Sequence, residues 1–244
     1  MHIERIQRTE APQARGIVIV IDVIRAFSVA AYAFAGGARA IWLVRSVEDA
    51  FALRQREPAA LLAGEVGGRL IDGFDFNNSP AGMAAADVRD RLLIQRTGAG
   101  TQGAVNATSA DVILPCSLVT ARATAAYARR LAETTSQSIT LMPTESAGQN
   151  GIPAQEDAIC ADYLHALLLE QANAAQVLAD GLQRLRASGR LERFQMGESD
   201  FPAEDVPAFL ATDRFAFVMQ GTREQWNGIT YIHTQRVEPD APLA

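Results

Sequence analysis

The chain has 244 residues, 48% hydrophobic and 20% charged, which is enough for one substantial core and wrong for a disordered polypeptide. Its formal net charge of −6 and pI near 5.1 leave no broad basic face for a nucleic-acid backbone, so nucleic acid is not an expected partner. All 22 basic positions are arginine, which excludes Schiff-base, Walker-type and general-base lysines. Any anion must therefore be held by guanidinium groups, backbone N–H groups or a metal.

Histidine is nearly as scarce, with only His2, His165 and His233, so a Ser-His-Asp triad or a multi-histidine zinc site is hard to build. Acid–base and metal work falls to Asp and Glu. The polar N-terminus is no signal peptide, and no stretch approaches the roughly 20 apolar residues of a membrane span. Two cysteines, Cys116 and Cys160, imply no disulfide framework, which makes a cytoplasmic location the default expectation.

In chain order, the continuous apolar run Ile17–Ile21 predicts a strand buried on both faces, followed by an Ala-rich helix to Phe34 stopped by Gly36-Gly37. Ala40–Val44 reads as the next strand. Ser46 caps a helix with Glu48 and Asp49 in its first turn. Leu61–Ala63 is a short strand, and a Gly/Asp/Asn-rich loop runs to Asn78 before Ser79-Pro80 opens a helix. Leu92–Gln95 is a strand, Gln102–Thr108 a short helix and Val112–Leu114 a strand. Ser117 caps a helix to about Ala132, and Ile139–Met142 is another strand.

From residue 154 to 188 the pattern is almost wholly helical, broken near Gln171–Ala174. The remainder reads as irregular, with a closing hairpin at Asn227-Gly228. Repeated βα alternation predicts one α/β domain over residues 1–244. Its sheet is mostly parallel or mixed, in a three-layer arrangement with a helical C-terminal third. The Ala/Leu-rich helical segment offers a surface on which a homodimer could form.

In open α/β sheets ligands bind beyond the C-terminal ends of the strands. The first strand ends in Asp22, where a carboxylate can hold a metal or attack phosphorus, and Arg25 one turn on can clamp a phosphate. A helix cap and a solvated arginine are the plainer alternative, and position alone does not choose. The third strand runs into Gly64-Glu65-Val66-Gly67-Gly68, and its loop continues through Asp75 to Asn78-Ser79. Carboxylates, amides and a helix start in one loop suit Mg²⁺ and an anion together, although Asn78 and Ser79 are also ordinary caps.

The fourth strand leads into Thr97-Gly98-Ala99-Gly100-Thr101-Gln102-Gly103, a G-x-G-x-x-G string. No acid ends the following strand to hold a ribose, so an anion-binding loop with Arg96 and Thr101 alongside fits better than a dinucleotide site. Cys116 and Arg122 match the C-x5-R spacing of cysteine phosphatases, but the residues between carry no glycine, and a buried strand-end thiol is the simpler reading. Glu156 and Asp157 open the long helix as first-turn decoration or as acids aimed at a metal. Asp205 and Asp213 read as structural, and Trp42 and Trp226 as packing residues.

Three segments together resemble the 2-phosphosulfolactate phosphatase family: Val20–Ala26 (VIDVIRA), Gly64–Gly68 running into Gly73–Pro80 (GEVGG…GFDFNNSP), and the Arg96–Thr101 loop, with weaker similarity through Glu156–Ala161. The resemblance covers nearly the whole chain in order. It implies a Mg²⁺-dependent phosphatase that hydrolyses 2-phospho-3-sulfolactate, or a related small phosphate ester, to the hydroxy acid and phosphate. On that resemblance Asp22, Glu65 and Asp75, with Glu156 and Asp157 beside them, gather around the metal. Asp22, Arg25 and Glu65 are the catalytic candidates, and Arg96, Thr97, Gly98, Gly100, Thr101, Asn78 and Ser79 face the substrate. The strand-then-Asp placement also resembles haloacid-dehalogenase-type phosphatases, but Ile24 stands where their second Asp would be. A non-catalytic anion binder and a Cys116-dependent phosphatase are the alternatives.

Overall fold

Gly16–Ile21 (β2) is buried at every position, as a wholly apolar run requires. In the computed structural model, which describes residues 1–144 and 155–240, this strand lies in a ten-stranded mixed sheet. The other strands are Ile3–Arg5 (β1), Ala40–Val44 (β3), Leu61–Val66 (β4), Arg69–Leu70 (β5), Leu92–Arg96 (β6), Ala110–Cys116 (β7), Ile139–Pro143 (β8), Val218–Trp226 (β9) and Ile229–Val237 (β10). Their order is β1-β8-β2-β7-β9-β10-β3-β6-β4-β5.

Two parallel blocks are visible in that order. One joins β1, β8, β2 and β7, and the other joins β3, β6 and β4. The antiparallel hairpin β9–β10 stands between them, pairing with β7 at Ile113 and Gly221 and with β3 along Ile232–Thr234. The blocks therefore run in opposite senses along the sheet. Six strand-to-strand steps separate β2 from β4. At roughly 20–25° of twist per step, that accounts for the C-terminal ends of both blocks facing one cavity.

Helices cover both faces, giving a three-layer α/β architecture. Ala26–Ala35 (α1) and Gly100–Asn106 (α4) pack on Val18 and Val20 from one block and on Ile41, Leu43 and Leu93 from the other. Ala121–Thr135 (α5), Glu156–Leu168 (α6) and Ala174–Ala187 (α7) cover the opposite face of β2 through Ile17, Ile19 and Ile21. Val47–Arg56 (α2) closes the far side of β3 and β6, while Pro80–Ala84 (α3) and Asp205–Phe209 (α8) pack near α1.

Most expected elements are present, several with longer bounds, and the caps at Ser46 and Ser79 form as expected. The break between α6 and α7 falls at Leu169–Asn173, where Glu170 is left-handed. Residue 154, the expected start of that segment, lies outside the described residues. Ser117 does not cap α5: a 3-10 turn at Leu118–Thr120 intervenes, and its hydroxyl has no partner among the described residues.

The C-terminal segment departs most from expectation. Asn227 and Gly228 do form the turn, with φ of 46° and 81° as a type I′ hairpin needs. The hairpin, however, sits in the middle of the sheet rather than closing an edge. Its strands are polar because their side chains find partners there. Gln220 accepts from the Tyr127 hydroxyl at 2.7 Å, and Arg223 donates to the Val105 and Ala107 carbonyls at 2.9 and 2.8 Å.

Candidate active site

The chain leaves β2 at Asp22, which is only 4% exposed. Its Oδ1 accepts from the Ala26 amide in the first turn of α1 at 3.1 Å, and its Oδ2 faces the Gly100 amide and lies 3.4 Å from the Thr144 hydroxyl. Asp157, in the first turn of α6, accepts from the Val23 amide at 2.8 Å, and its other oxygen is 3.3 Å from the same hydroxyl. Thr144, just past β8, also reaches the Ile21 carbonyl at 3.0 Å. With one proton to share, it bridges the ends of β2 and β8 and steadies both acids. Asp157 thus fixes the turn that carries Asp22.

Glu65 lies one residue from the end of β4 and is also buried. Its two oxygens accept from the Gly98 amide at 2.5 Å and the Gly68 amide at 2.6 Å. The loop that supplies Gly98 is held by a reciprocal pair: the Thr97 amide donates to Thr101 Oγ1 at 2.9 Å, and the Thr101 amide to Thr97 Oγ1 at 3.2 Å.

The three glycines of the G-x-G-x-x-G string are explained by close approach. A Cβ on Gly98 would lie 3.3 Å from Glu65 Oε1, one on Gly100 2.8 Å from Asp22 Oδ2, and one on Gly103 2.8 Å from Thr144 Cγ2. The loop was expected to offer its N–H groups to an external anion or a dinucleotide. The amides of Gly98 and Gly100 are instead directed at protein carboxylates, so the loop positions acids.

Asp22, Glu65, Asn78, Thr97 and Gly98 line a cavity of about 690 Å³, and residues 189–201 form its opposite wall. Sequence reading missed that wall. Arg190 grips Glu156 with Nη2 at 2.7 Å and Nε at 3.2 and 3.3 Å, and both side chains are largely buried. Arg193 stacks on Phe201. The signal available was Arg and Phe recurring through an irregular stretch, but nothing local ties it to strand ends more than 90 residues earlier.

Arg25, expected as a phosphate clamp, donates to the Asp200 carbonyl at 2.6 Å and the Gly68 carbonyl at 2.8 Å. It also pairs with Asp205 at 3.6 Å and lies 4.7 Å from the centre of the Phe201 ring. Burial lowers its pKa, opposed by the charges of Asp205 and Glu65. It borders the cavity while fastening the residue 200 segment to the turn after β4.

The other expected site residues are distributed differently. Asp75 accepts from the Leu62 amide at 2.8 Å and pairs with Arg54 at 3.1 Å, away from the cavity, so it does not join the carboxylate group. Ser79 caps α3 and donates to Asp205 at 2.6 Å, and buried Thr101 bonds within its own loop. Arg96 donates to the Glu65 carbonyl at 2.6 Å from behind the site. Cys116 is buried in the core between β2 and α6, while Arg122 turns outward to Asp213 at 3.0 Å and to the Tyr163 hydroxyl. The C-x5-R spacing therefore builds no thiolate–arginine cradle.

The electrostatics single out Asp22. Burial, together with the charges of Glu65 and Glu156, pushes its pKa up to about 6, against the pull of the Ala26 and Gly100 amides. Among the described residues, no three Asp, Glu, His or Cys side chains form a metal-binding group. Glu156 is committed to Arg190, and Asp157, which holds the Val23 amide and faces Thr144, does not line the cavity. That leaves Asp22 and Glu65, each oxygen of which accepts at most one amide and keeps a further lone pair. Two carboxylates on a polar cavity fit Mg²⁺, which commonly takes one or two and completes its shell with water and substrate oxygens.

Residues 3–219 match the family described as 2-phosphosulpholactate phosphatase. A Bacillus subtilis protein named probable 2-phosphosulfolactate phosphatase is 36% identical over 191 residues, covering 78% of this chain and 80% of that protein. Proteins of the same name from Carboxydothermus hydrogenoformans and Deinococcus radiodurans are 36% and 37% identical over 154 residues. Those matches span 61% and 62% of the relatives' lengths.

Proposed function

The chain belongs to the 2-phosphosulfolactate phosphatase family, and from that premise we propose that it hydrolyses the phosphate ester of a small sulfonated or carboxylated 2-phospho acid. The first candidate substrate is 2-phosphosulfolactate, giving 3-sulfolactate and phosphate. One observation carries the reading: buried Asp22 and Glu65 share a cavity, each braced by backbone amides of the same glycine loop.

Mg²⁺ is part of the proposal, with Asp22 and Glu65 as its holders. When bound, it would offset charge on the phosphoryl oxygens and acidify a water. The chain's own contribution is placement. The carboxylates meet the phosphoryl end, and Arg193 on the opposite wall supplies positive charge for the acid end of the substrate, while Arg190 holds Glu156. Arg25 keeps that wall in position, with its guanidinium against the Phe194 and Phe201 rings that line the cavity. Both cysteines are free and buried, which suits a reducing compartment, and we place the protein in the cytoplasm. No helix among the described residues is long and apolar enough to cross a membrane.

The test is phosphate release from 2-phosphosulfolactate and from a panel of 2-phospho acids, with Mg²⁺, with EDTA and after thiol blocking. Turnover is expected to need Mg²⁺ and to survive alkylation. Turnover that persists in EDTA would remove the cation, and none on any substrate would leave a non-catalytic anion binder.

A further inference from the structure

Three adjacent residues after the Asp75 turn face three different ways. Asn77 donates to the Asp200 side chain at 2.7 Å, and Ser79 caps α3 and reaches Asp205. Asn78 between them is 4% exposed and borders the cavity, and its Oδ1 has no partner among the described residues. A buried carbonyl oxygen rarely goes unpaired, so this one points to something that occupies the cavity.

The loop and the cavity fix what stands around it. Phe76 bridges Ala63 in parallel, with the Gly64 amide donating to the Phe76 carbonyl at 3.0 Å. The pairing stops there: Glu65 pairs with Leu70 of β5, and the Asn78 amide donates to Asn77 Oδ1 at 2.6 Å. The bend carries Asn78 to the wall of the cavity that Glu65 and Asp22 also line. The Asn78 oxygen is therefore grouped with both carboxylates by the space they share.

The identity of the missing partner follows from the chemistry of the substrate class. Phosphate, carboxylate and sulfonate groups at neutral pH are rich in acceptors and poor in donors. A third oxygen aimed at such a molecule would repel it, as would the two carboxylates. A hard divalent cation suits all three, because Mg²⁺ takes carboxylate and amide carbonyl oxygens alike.

We propose that Asn78 Oδ1 is the third protein oxygen of a divalent-cation site completed by Asp22 and Glu65. This rests on the proposed Mg²⁺ site and adds to it a ligand of a residue type that carboxylate spacing does not suggest.

The experiment is direct binding of Mn²⁺ to the metal-free chain, followed by the loss of the free-ion electron paramagnetic resonance signal. Wild type is compared with Asn78→Ala and Asn78→Asp, with thermal melts confirming that each variant is folded. Asn78→Ala is expected to weaken Mn²⁺ at least ten-fold, while Asn78→Asp, which keeps an oxygen there and adds charge, binds at least as tightly as wild type. Unchanged binding in Asn78→Ala would overturn the assignment while leaving the cation site intact. Equal weakening in both variants would also overturn it, by showing that the amide nitrogen is what matters. Wild type that binds no Mn²⁺ would overturn the cation reading itself, whether or not phosphate is released.

Discussion

Replacing Asp22 with Asn should change how stability depends on pH more than it changes stability at any one pH. Asp22 titrates at about 6 in the fold against an ordinary 3.8, because burial and the charges of Glu65 and Glu156 disfavour its ionised form. The folded chain therefore binds this proton more tightly than the unfolded chain does. The resulting stabilisation is complete below pH 3.8 and is lost as pH rises through 6. At about 1.4 kcal/mol per pH unit between the two pKa values, the loss is about 3 kcal/mol. Asn cannot ionise and escapes it.

The substitution also has a constant cost, since Asn presents one oxygen where Asp22 presents two, so one of the facing amides, Ala26 or Gly100, loses its acceptor. That cost does not vary with pH, so it drops out of the comparison. In urea unfolding with EDTA present, the stability of Asp22→Asn minus that of wild type should climb by about 3 kcal/mol between roughly pH 3.5 and 7.5. Two curves that stay parallel within about 1 kcal/mol would show that Asp22 carries no electrostatic strain, and that burial and repulsion do not organise the site.

Other substitutions probe the frame around it. Gly100→Ala puts a methyl 2.8 Å from Asp22 Oδ2 and 2.9 Å from Ala26 Cβ, so either the acid or α4 must move. It should cost about 1–3 kcal/mol and, by shifting the carboxylate, reduce phosphate release on the order of 10²-fold. Arg190→Met strands Glu156, which is 3% exposed, and should lower stability by about 3–5 kcal/mol in chemical unfolding. Adding Glu156→Gln should restore most of that. Asp75→Asn keeps an acceptor for the Leu62 amide and breaks only a partly exposed pair with Arg54. It should cost no more than about 1 kcal/mol and leave turnover with Mg²⁺ unaltered, the reverse of what a metal ligand would show.

Asp22 and Glu65 were legible because each sits where a buried strand meets a loop, and that placement depends only on local pattern. Asp75 shows the limit of the same reasoning. It lies in the same acid-rich loop, but the Phe76 bridge to Ala63 turns it toward Leu62 and Arg54, and that pairing depends on contacts about 13 residues apart. The wall formed by residues 189–201 was invisible for a stronger form of this reason, since Arg25 holds it at Asp200 across 175 positions. The central hairpin was legible only as a turn at Asn227-Gly228 in a segment that reads as irregular. Its strands are ordered by pairing with β7 and β3, and Gln220 and Arg223 are satisfied by Tyr127 and by carbonyls at the end of α4, all distant in sequence.

The G-x-G-x-x-G string carries the last step. Read as sequence, it offered backbone donors to an outside anion. In the fold its Gly98 amide holds Glu65 and its Gly100 amide faces Asp22, whose ionisation is resisted first by burial and then by the charges of Glu65 and Glu156. That arrangement costs stability in the metal-free chain and keeps both carboxylates in place before anything binds. A divalent cation entering the cavity would then meet oxygens already oriented, with no reorganisation of the loop, and would relieve the repulsion among Asp22, Glu65 and Glu156 as it bound. The same strain that Asp22→Asn should release in the pH series is what a bound cation would offset.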